Sequence, residues 1–391
     1  MTGMTGRPAR RHPLVAFAAF FHLAGVLGTR PIVPLYASEL GIGPAEIGVL
    51  VALFATLPLF LALRAGRWLD LRGSRSMLIT CTIVAALGLA LPELMPGRPG
   101  LYASQVVTGS ASTLFILAAQ RSVGALAAEA GARERNVAIF SLGVALASFA
   151  GPFPAGFIAE TLGYGPSFLM LGGVTLASLL VAVRLPADRP DATPGVAPFP
   201  AGNPLRVLGY NPYMGRAFLI SSLILMAKDI YVAYFPLHAA SIGLSAGTIG
   251  VIIGLHNGGG VVMRVALLPL VECFGKNRVV VSSILLGGIL FLALPMLDGI
   301  VLLTLASIGI GLALGLGQPL SISTTIALSP RDKLGEVLGV RLGFNRFTQA
   351  VVPLGFGGAV LVTGVAGVFA VVGAVLCVGA TRLRIPDEHS R

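Results

Sequence analysis

Residues 66–75 read GRWLDLRGSR, and residues 268–277, 202 positions further on, read LPLVECFGKN. Each is a short charged island between long apolar segments, and the register they share extends well beyond them. With the same shift Pro34-Leu35 falls on Pro236-Leu237, Gly41 on Gly243, and Ile47-Gly48-Val49 on Ile249-Gly250-Val251. Within the island Asp70 falls on Glu272 and Gly73 on Gly275. A shift of 198 then aligns Gln120 with Gln318 and Arg133-Glu134-Arg135 with Arg331-Asp332-Lys333. Agreement across loops as well as apolar runs implies a chain built of two related halves.

Composition says where such a chain resides. Of its 391 residues 55% are hydrophobic and 11% charged, and the mean hydropathy is +0.89. A soluble protein of this length needs more charge to cover its surface. Apolar runs long enough to cross a bilayer follow one another closely, and without water to satisfy the backbone they must be helical. The 51 glycines suit close packing of such helices. The net charge of +11 is spread over alternate loops rather than gathered in a patch, which argues against nucleic acid as a partner. Cys81, Cys273 and Cys377 are too few and too scattered for a disulfide framework or a metal site. The basic N-terminal stretch leads into an apolar run too long for a signal peptide and reads as a retained first helix.

The pattern predicts an all-α polytopic membrane protein with twelve helices, near 14–37, 45–64, 76–96, 100–128, 136–160, 166–184, 214–238, 246–268, 279–297, 299–328, 335–362 and 364–382. Residues 1–184 then form one six-helix bundle and 214–391 the other. The Pro- and Gly-rich stretch 185–213 reads as an extended cytoplasmic linker. Placing both termini in the cytoplasm puts Arg67, Arg72, Arg75, Arg133, Arg135, Arg264, Lys276, Arg331 and Lys333 at the inner face and leaves Arg98 as the outer-loop exception. Parallel duplicated halves are an architecture of alternating-access carriers.

On these residues the chain resembles the major facilitator superfamily over essentially its whole length. Segment 66–75 is similar to that family's loop between helices 2 and 3, GxLaDrxGrr: Gly66, Asp70, Gly73 and Arg75 fit, while Leu71 and Ser74 stand where basic residues are usual. GPFPAG at 151–156 resembles the helix-5 signature GPxxGG through Gly151, Pro152 and Gly156, with Ala155 replacing a glycine. The resemblance implies a cytoplasmic gate around Asp70, with Arg75, Glu129, Glu272 and Gly275 as further members. It also implies a tilt toward export, since the helix-5 signature is associated with efflux. Physically, glycine allows tight turns and close helix approach, and a carboxylate at a helix end can pair with arginines or meet a helix dipole.

Charges within the predicted spans are costly and tend to face a cavity or a partner. Arg30, Arg121, Lys228, Arg341 and Arg346 are such residues, with Asp229 among them. Lys228 and Asp229 are sequence neighbours about 100° apart on a helix, so each is expected to find its partner elsewhere. Arg341, Asn345 and Gln349 share a face, with Arg346 beside it, and Gln120 and Gln318 add polar groups. These predict a wet, positive central cavity that binds substrate, with Asp229 carrying a proton and His22 a weaker second candidate. Arg30 and Arg341 have a second reading, as side chains snorkelling to the interfaces.

Nucleotide-hydrolysis loops, HExxH and metal-spaced His/Cys/acid clusters are absent from the sequence, so neither an enzyme nor a cofactor is expected. The prediction is a monomeric secondary transporter of a small organic solute in a bacterial-type cytoplasmic membrane, in contact with lipid, exporting by proton coupling. Its alternative is uptake or facilitated passage of an organic anion or polar metabolite; a transport-incompetent sensor is the remote third.

Overall fold

The computed structural model describes residues 12–125, 130–185, 204–330 and 333–382, with side chains given except at 12–13, 59, 61–72, 124–125, 130–135, 137–138, 204, 334–335 and 382. Glu129 lies outside the described residues, and Gly66 and Asp70 are described by their helical backbone only. Every regular element among the described residues is a helix. We number the long ones α1 (His12–Glu39), α2 (44–72), α3 (Gly73–Leu94), α4 (Arg98–Ala125), α5 (Ala130–Ala150, resuming as Pro152–Leu162) and α6 (Tyr164–Ala182). The second set is α7 (Met214–Ser241), α8 (Ala246–Val265), α9 (Lys276–Ala293), α10 (Ile300–Gly315, resuming as Gly317–Leu328), α11 (334–363) and α12 (364–382).

Ten segments among the described residues are long and apolar enough to cross a membrane. The last of them, Glu336–Thr381, has 46 residues, about 69 Å of helix at 1.5 Å per residue, or twice a bilayer core. Gly364, at φ 68° and ψ 177°, breaks it into two crossings. The apolar part of α2, Pro44–Pro58, is shorter than the rest. All twelve predicted helices are therefore present as helices. Many large apolar side chains stand exposed, among them Phe17, Leu87, Phe157, Leu180, Leu305 and Val362, as expected of a surface solvated by lipid.

Glycine punctuates the chain at regular intervals. Among the described residues positive φ occurs only at Gly41, Gly73, Gly97, Gly163, Gly243, Gly275, Gly299 and Gly364. The first three recur 202 positions later and the fourth 201 positions later. These are the turns between successive helices, where the left-handed conformation excludes a β-carbon. Two large clusters of buried apolar side chains lie between them. One is drawn from Val15 to Leu185, the other from Ile220 to Ala380 together with Leu35.

Two features differ from the sequence expectation. The island 66–75 is helical through residue 72 and turns at Gly73, so it is a helix end rather than a loop. Its counterpart forms a short helix, Leu267–Phe274, that stops at Gly275. The linker is also packed at its far end: Pro204–Gly209 forms a 3₁₀ turn whose Val207 is buried against Met214, Phe218, Val337 and Val340. There Arg206 Nε donates to Glu336 Oε1 at 2.8 Å, a contact that holds the guanidinium above its usual pKa range.

The first six helices meet the last six along two seams. In one, a β-carbon added to Gly48 of α2 would lie 2.4 Å from the Pro353 carbonyl oxygen of α11, and one on Gly357 would lie 2.6 Å from Ala45 O. In the other, a β-carbon on Gly250 of α8 would lie 2.5 Å from Pro152 O of α5, and one on Gly156 would lie 2.4 Å from Ala246 O. Only glycine lets the backbones approach so closely. Beside the second seam Glu160 Oε2 accepts from the backbone N–H of Gly247 at 2.9 Å, placing a carboxylate at the positive end of α8. Both seams lie at the end of the bundle where α1 finishes and α2 begins.

Candidate functional site

Helix α7 is the most enclosed span, with 78% of its most apolar window buried, and it carries the central charges. Asp229 is 6% exposed. Its Oδ1 lies 3.7 Å from Nη1 of Arg30 on α1, and the Arg30 guanidinium also sits 4.8 Å from the centre of the Phe54 ring on α2. Lys228 does not form this ion pair, although its charge and that of Arg346 act on the same carboxylate. Arg346 Nη1 donates to Gln349 Oε1 at 3.1 Å, so these two α11 residues are linked.

Arg341 forms a second node, 7% exposed. Its Nη2 donates to Ser221 Oγ and Gln318 Oε1, both at 3.0 Å, and to Ser321 Oγ at 3.3 Å. Its Nε reaches Ser321 Oγ at 3.4 Å. Ser221 Oγ donates to Asn345 Oδ1 at 2.8 Å, and Gln318 Nε2 donates to Ser221 O at 3.1 Å. Arg341 therefore makes an inward network joining α7, α10 and α11, held by uncharged acceptors.

A cavity of about 50 Å³ lies between α5, α7, α8 and α10, with Lys228, His256, Asn257, Arg264 and Gln318 among its lining residues. His256 Nδ1 is 2.9 Å from Ser307 O; a carbonyl only accepts, so this nitrogen carries the proton. The ring stacks on Tyr231 with centroids 4.2 Å apart. Asn257 Nδ2 donates to Ser148 O at 2.9 Å, crossing from α8 to α5. A larger cavity of about 490 Å³ is apolar, lined by Met263, Leu270, Phe274, Leu286 and Leu316 with Arg278 as its charge. It contains none of the polar network, so the smaller cavity is the one of chemical interest.

The structure thus brings together Arg30, Lys228, Asp229, Gln318, Arg341, Asn345, Arg346 and Gln349. Gln120 is exposed on α4 and Arg121 half-buried beside it. His22 is fully enclosed, with Ser112 Oγ 3.3 Å from Nε2, Thr82 Oγ1 3.4 Å from Nδ1, and its ring stacked on Phe115 at 3.8 Å. Arg75 Nη2 donates to Val183 O at 2.7 Å, tying the start of α3 to the end of α6. Glu272 is exposed on its short helix. In the helix-5 segment Gly151 abuts α1, where its β-carbon would meet Ala24 O at 2.3 Å, while Pro152 and Gly156 face α8. His256, Asn257 and Arg264 were not singled out from sequence as site residues. Arg264 counts there as an inner-face charge, and the other two sit in an apolar, glycine-rich segment whose only signal is a His-Asn pair.

The sequence matches the profile of the Major Facilitator Superfamily over residues 15–353 and again over 217–391. The chain belongs to that superfamily. It is a multi-pass membrane transport protein, and secondary movement of a small solute is the activity its fold supports. Among curated relatives, Multidrug resistance protein 1 of Bacillus subtilis (strain 168) is 22% identical over 347 residues, covering 86% of each chain. Multidrug resistance protein 2 of the same organism is 24% identical over 373 residues, covering 89% of this chain and 91% of its own. Among solved structures, a POT family transporter in complex with 5-aminolevulinic acid superposes with a TM-score of 0.78 at 13% identity, covering 97% of this chain and 96% of that one. The nucleoside transporter NupG gives 0.77, also at 13%, covering 96% and 99%. At such identities these structures speak to the fold.

Proposed function

We propose that this protein carries a small organic anion or polar, anionic metabolite across the cytoplasmic membrane, by uptake or facilitated passage. The observation that carries the reading is charge: Arg30, Lys228 and Arg346 gather on α1, α7 and α11 around the carboxylate of Asp229, and Arg341 adds a further cation on α11. A site so constituted favours negative solutes. Residues 1–184 and 214–391 form the two bundles that rock about it, joined by 185–213, with both termini cytoplasmic and the protein acting as a monomer. In that orientation the glycine seams close the outer side. Asp229 exchanges a proton as its pairing with Arg30 forms and breaks, and Asp70 with its neighbours gates the inner face.

The second reading is proton-coupled export of drug-like compounds, supported by the printed names of the two curated relatives and by the GPFPAG segment of α5. Purified protein in proteoliposomes, loaded with unlabelled solute and tested for counterflow of labelled aromatic carboxylates or lipophilic cations, separates the two. Exchange of carboxylates supports the anion reading. Exchange of lipophilic cations with carboxylates inert overturns it in favour of export.

A further inference from the structure

We propose that the cavity between α5, α7, α8 and α10 is a carboxylate-binding subsite whose ligand groups are Lys228 and Arg264, the latter outside the central charge cluster. The inference rests on the anion reading above and gives it a substrate class.

The other cations near the centre already have partners. Arg30 has Asp229, Arg341 has Ser221, Gln318 and Ser321, and Arg346 has Gln349. The amides lining the cavity are committed too: Gln318 to Arg341 and the Ser221 carbonyl, Asn257 to the Ser148 carbonyl. Lys228 and Arg264 both line the cavity, and neither has a hydrogen bond or salt bridge among the described residues. The cavity's lining residues include no acid. Two cations sharing one recess repel each other, and the repulsion is relieved when an anion enters.

Volume narrows the ligand. About 50 Å³, where one water needs roughly 10–15 Å³ by the same measure, is room for a few waters. It admits an acidic headgroup and leaves the body of the solute outside. A planar carboxylate suits the guanidinium fork. Arg264 is exposed and Lys228 half-buried, so the recess pairs a solvent-reachable cation with an enclosed one. Gln318 connects it to the Arg341 network.

The test is a thermal-shift titration of the purified full chain with benzoate, its neutral isostere benzamide, and phenylphosphonate. A ligand that binds the folded protein raises its apparent melting temperature. Benzoate should stabilise and benzamide should not. Arg264→Gln and Lys228→Gln should each weaken benzoate about tenfold or more, with Arg264→Lys regaining part of the loss. Equal benzoate responses in wild type and both variants overturn the subsite while leaving the anion reading intact. Stronger, equally Arg264-dependent binding of phenylphosphonate overturns the carboxylate assignment. No response to either anion overturns the subsite and the anion reading together. A variant-free check is phenylglyoxal labelling read by mass spectrometry: benzoate should slow modification of Arg264, and unchanged labelling counts against the subsite.

Discussion

Gly48 and Gly250 stand 202 residues apart and meet the same obstacle. A β-carbon on the first would lie 2.4 Å from the carbonyl oxygen of Pro353, and on the second 2.5 Å from that of Pro152. The two prolines are themselves 201 residues apart, as are Ala45 and Ala246, whose carbonyls face Gly357 and Gly156. The repeat therefore supplies each seam with one glycine from either set of helices. Adding a methyl at Gly250 forces the backbones apart, at about 1–3 kcal/mol for an overpacked contact. Gly250→Ala should move the population toward the state open at that end. Faster reaction of an Ala246→Cys probe with an impermeant maleimide would show it; an unchanged rate would mean the seam yields without opening.

The seams differ in one respect. Glu160 accepts from Gly247 N–H at the start of α8, whereas the equivalent position beside the other seam is Leu361. Glu160→Gln should remove a charge–dipole attraction worth about 0.3–1 kcal/mol, raising accessibility at that end modestly, less than Gly250→Ala does. The same probe measures both.

For Asp229 the expected outcome of Asp229→Asn is loss of gradient-driven accumulation with exchange retained. Concentrative transport by this variant would place the proton elsewhere. Because Arg30 would be left without its carboxylate, the single variant should also melt lower than the double variant Asp229→Asn/Arg30→Gln. A double variant no better than the single would show that the pair contributes little to folding.

Arg341→Met strips partners from Ser221, Ser321 and Gln318 in an enclosed site, costing about 1–3 kcal/mol in stability. Arg341→Lys keeps the charge without the fork and should recover only part of that. If Arg341 also touches substrate, binding should fall in the Lys variant beyond what its melting temperature explains.

Asp70→Ala should abolish cycling in proteoliposomes while leaving insertion and ligand binding intact, as a gate residue requires. Normal turnover would remove Asp70 from the gate.

Much of the fold was legible because the bilayer leaves few options. Run length identified the helices, and Gly41 and Gly73 stood in the repeat register, while the matching turns at Gly97 and Gly163 emerged only from the backbone. The charged island misled in detail: Trp68, Leu69 and Leu71 give it enough apolar character to extend a helix, so the turn comes only at Gly73. Burial cost flagged Arg30, Asp229 and Arg341 within a span, since a charge at depth needs a reason. Partners were harder to read. Periodicity gives the face of one helix, but which face meets which neighbour depends on backbone approach, and that is set by contacts such as Gly151 against α1 and Gly250 against α5. For the same reason Arg264 looked like a topological charge from its place near a helix end, while the structure sets it in the lining of the same cavity as Lys228.

The glycine seams carry a consequence for energy supply. Carriers of this kind run on solute or ion gradients, and a tenfold concentration ratio delivers about 1.4 kcal/mol. A closure bolted by interlocked apolar side chains or buried ion pairs would outlast such a push. Smooth backbone faces have little to unlock, with Glu160 as a polar catch beside them. They can hold tightly enough to stop leakage and still part under a modest thermodynamic force.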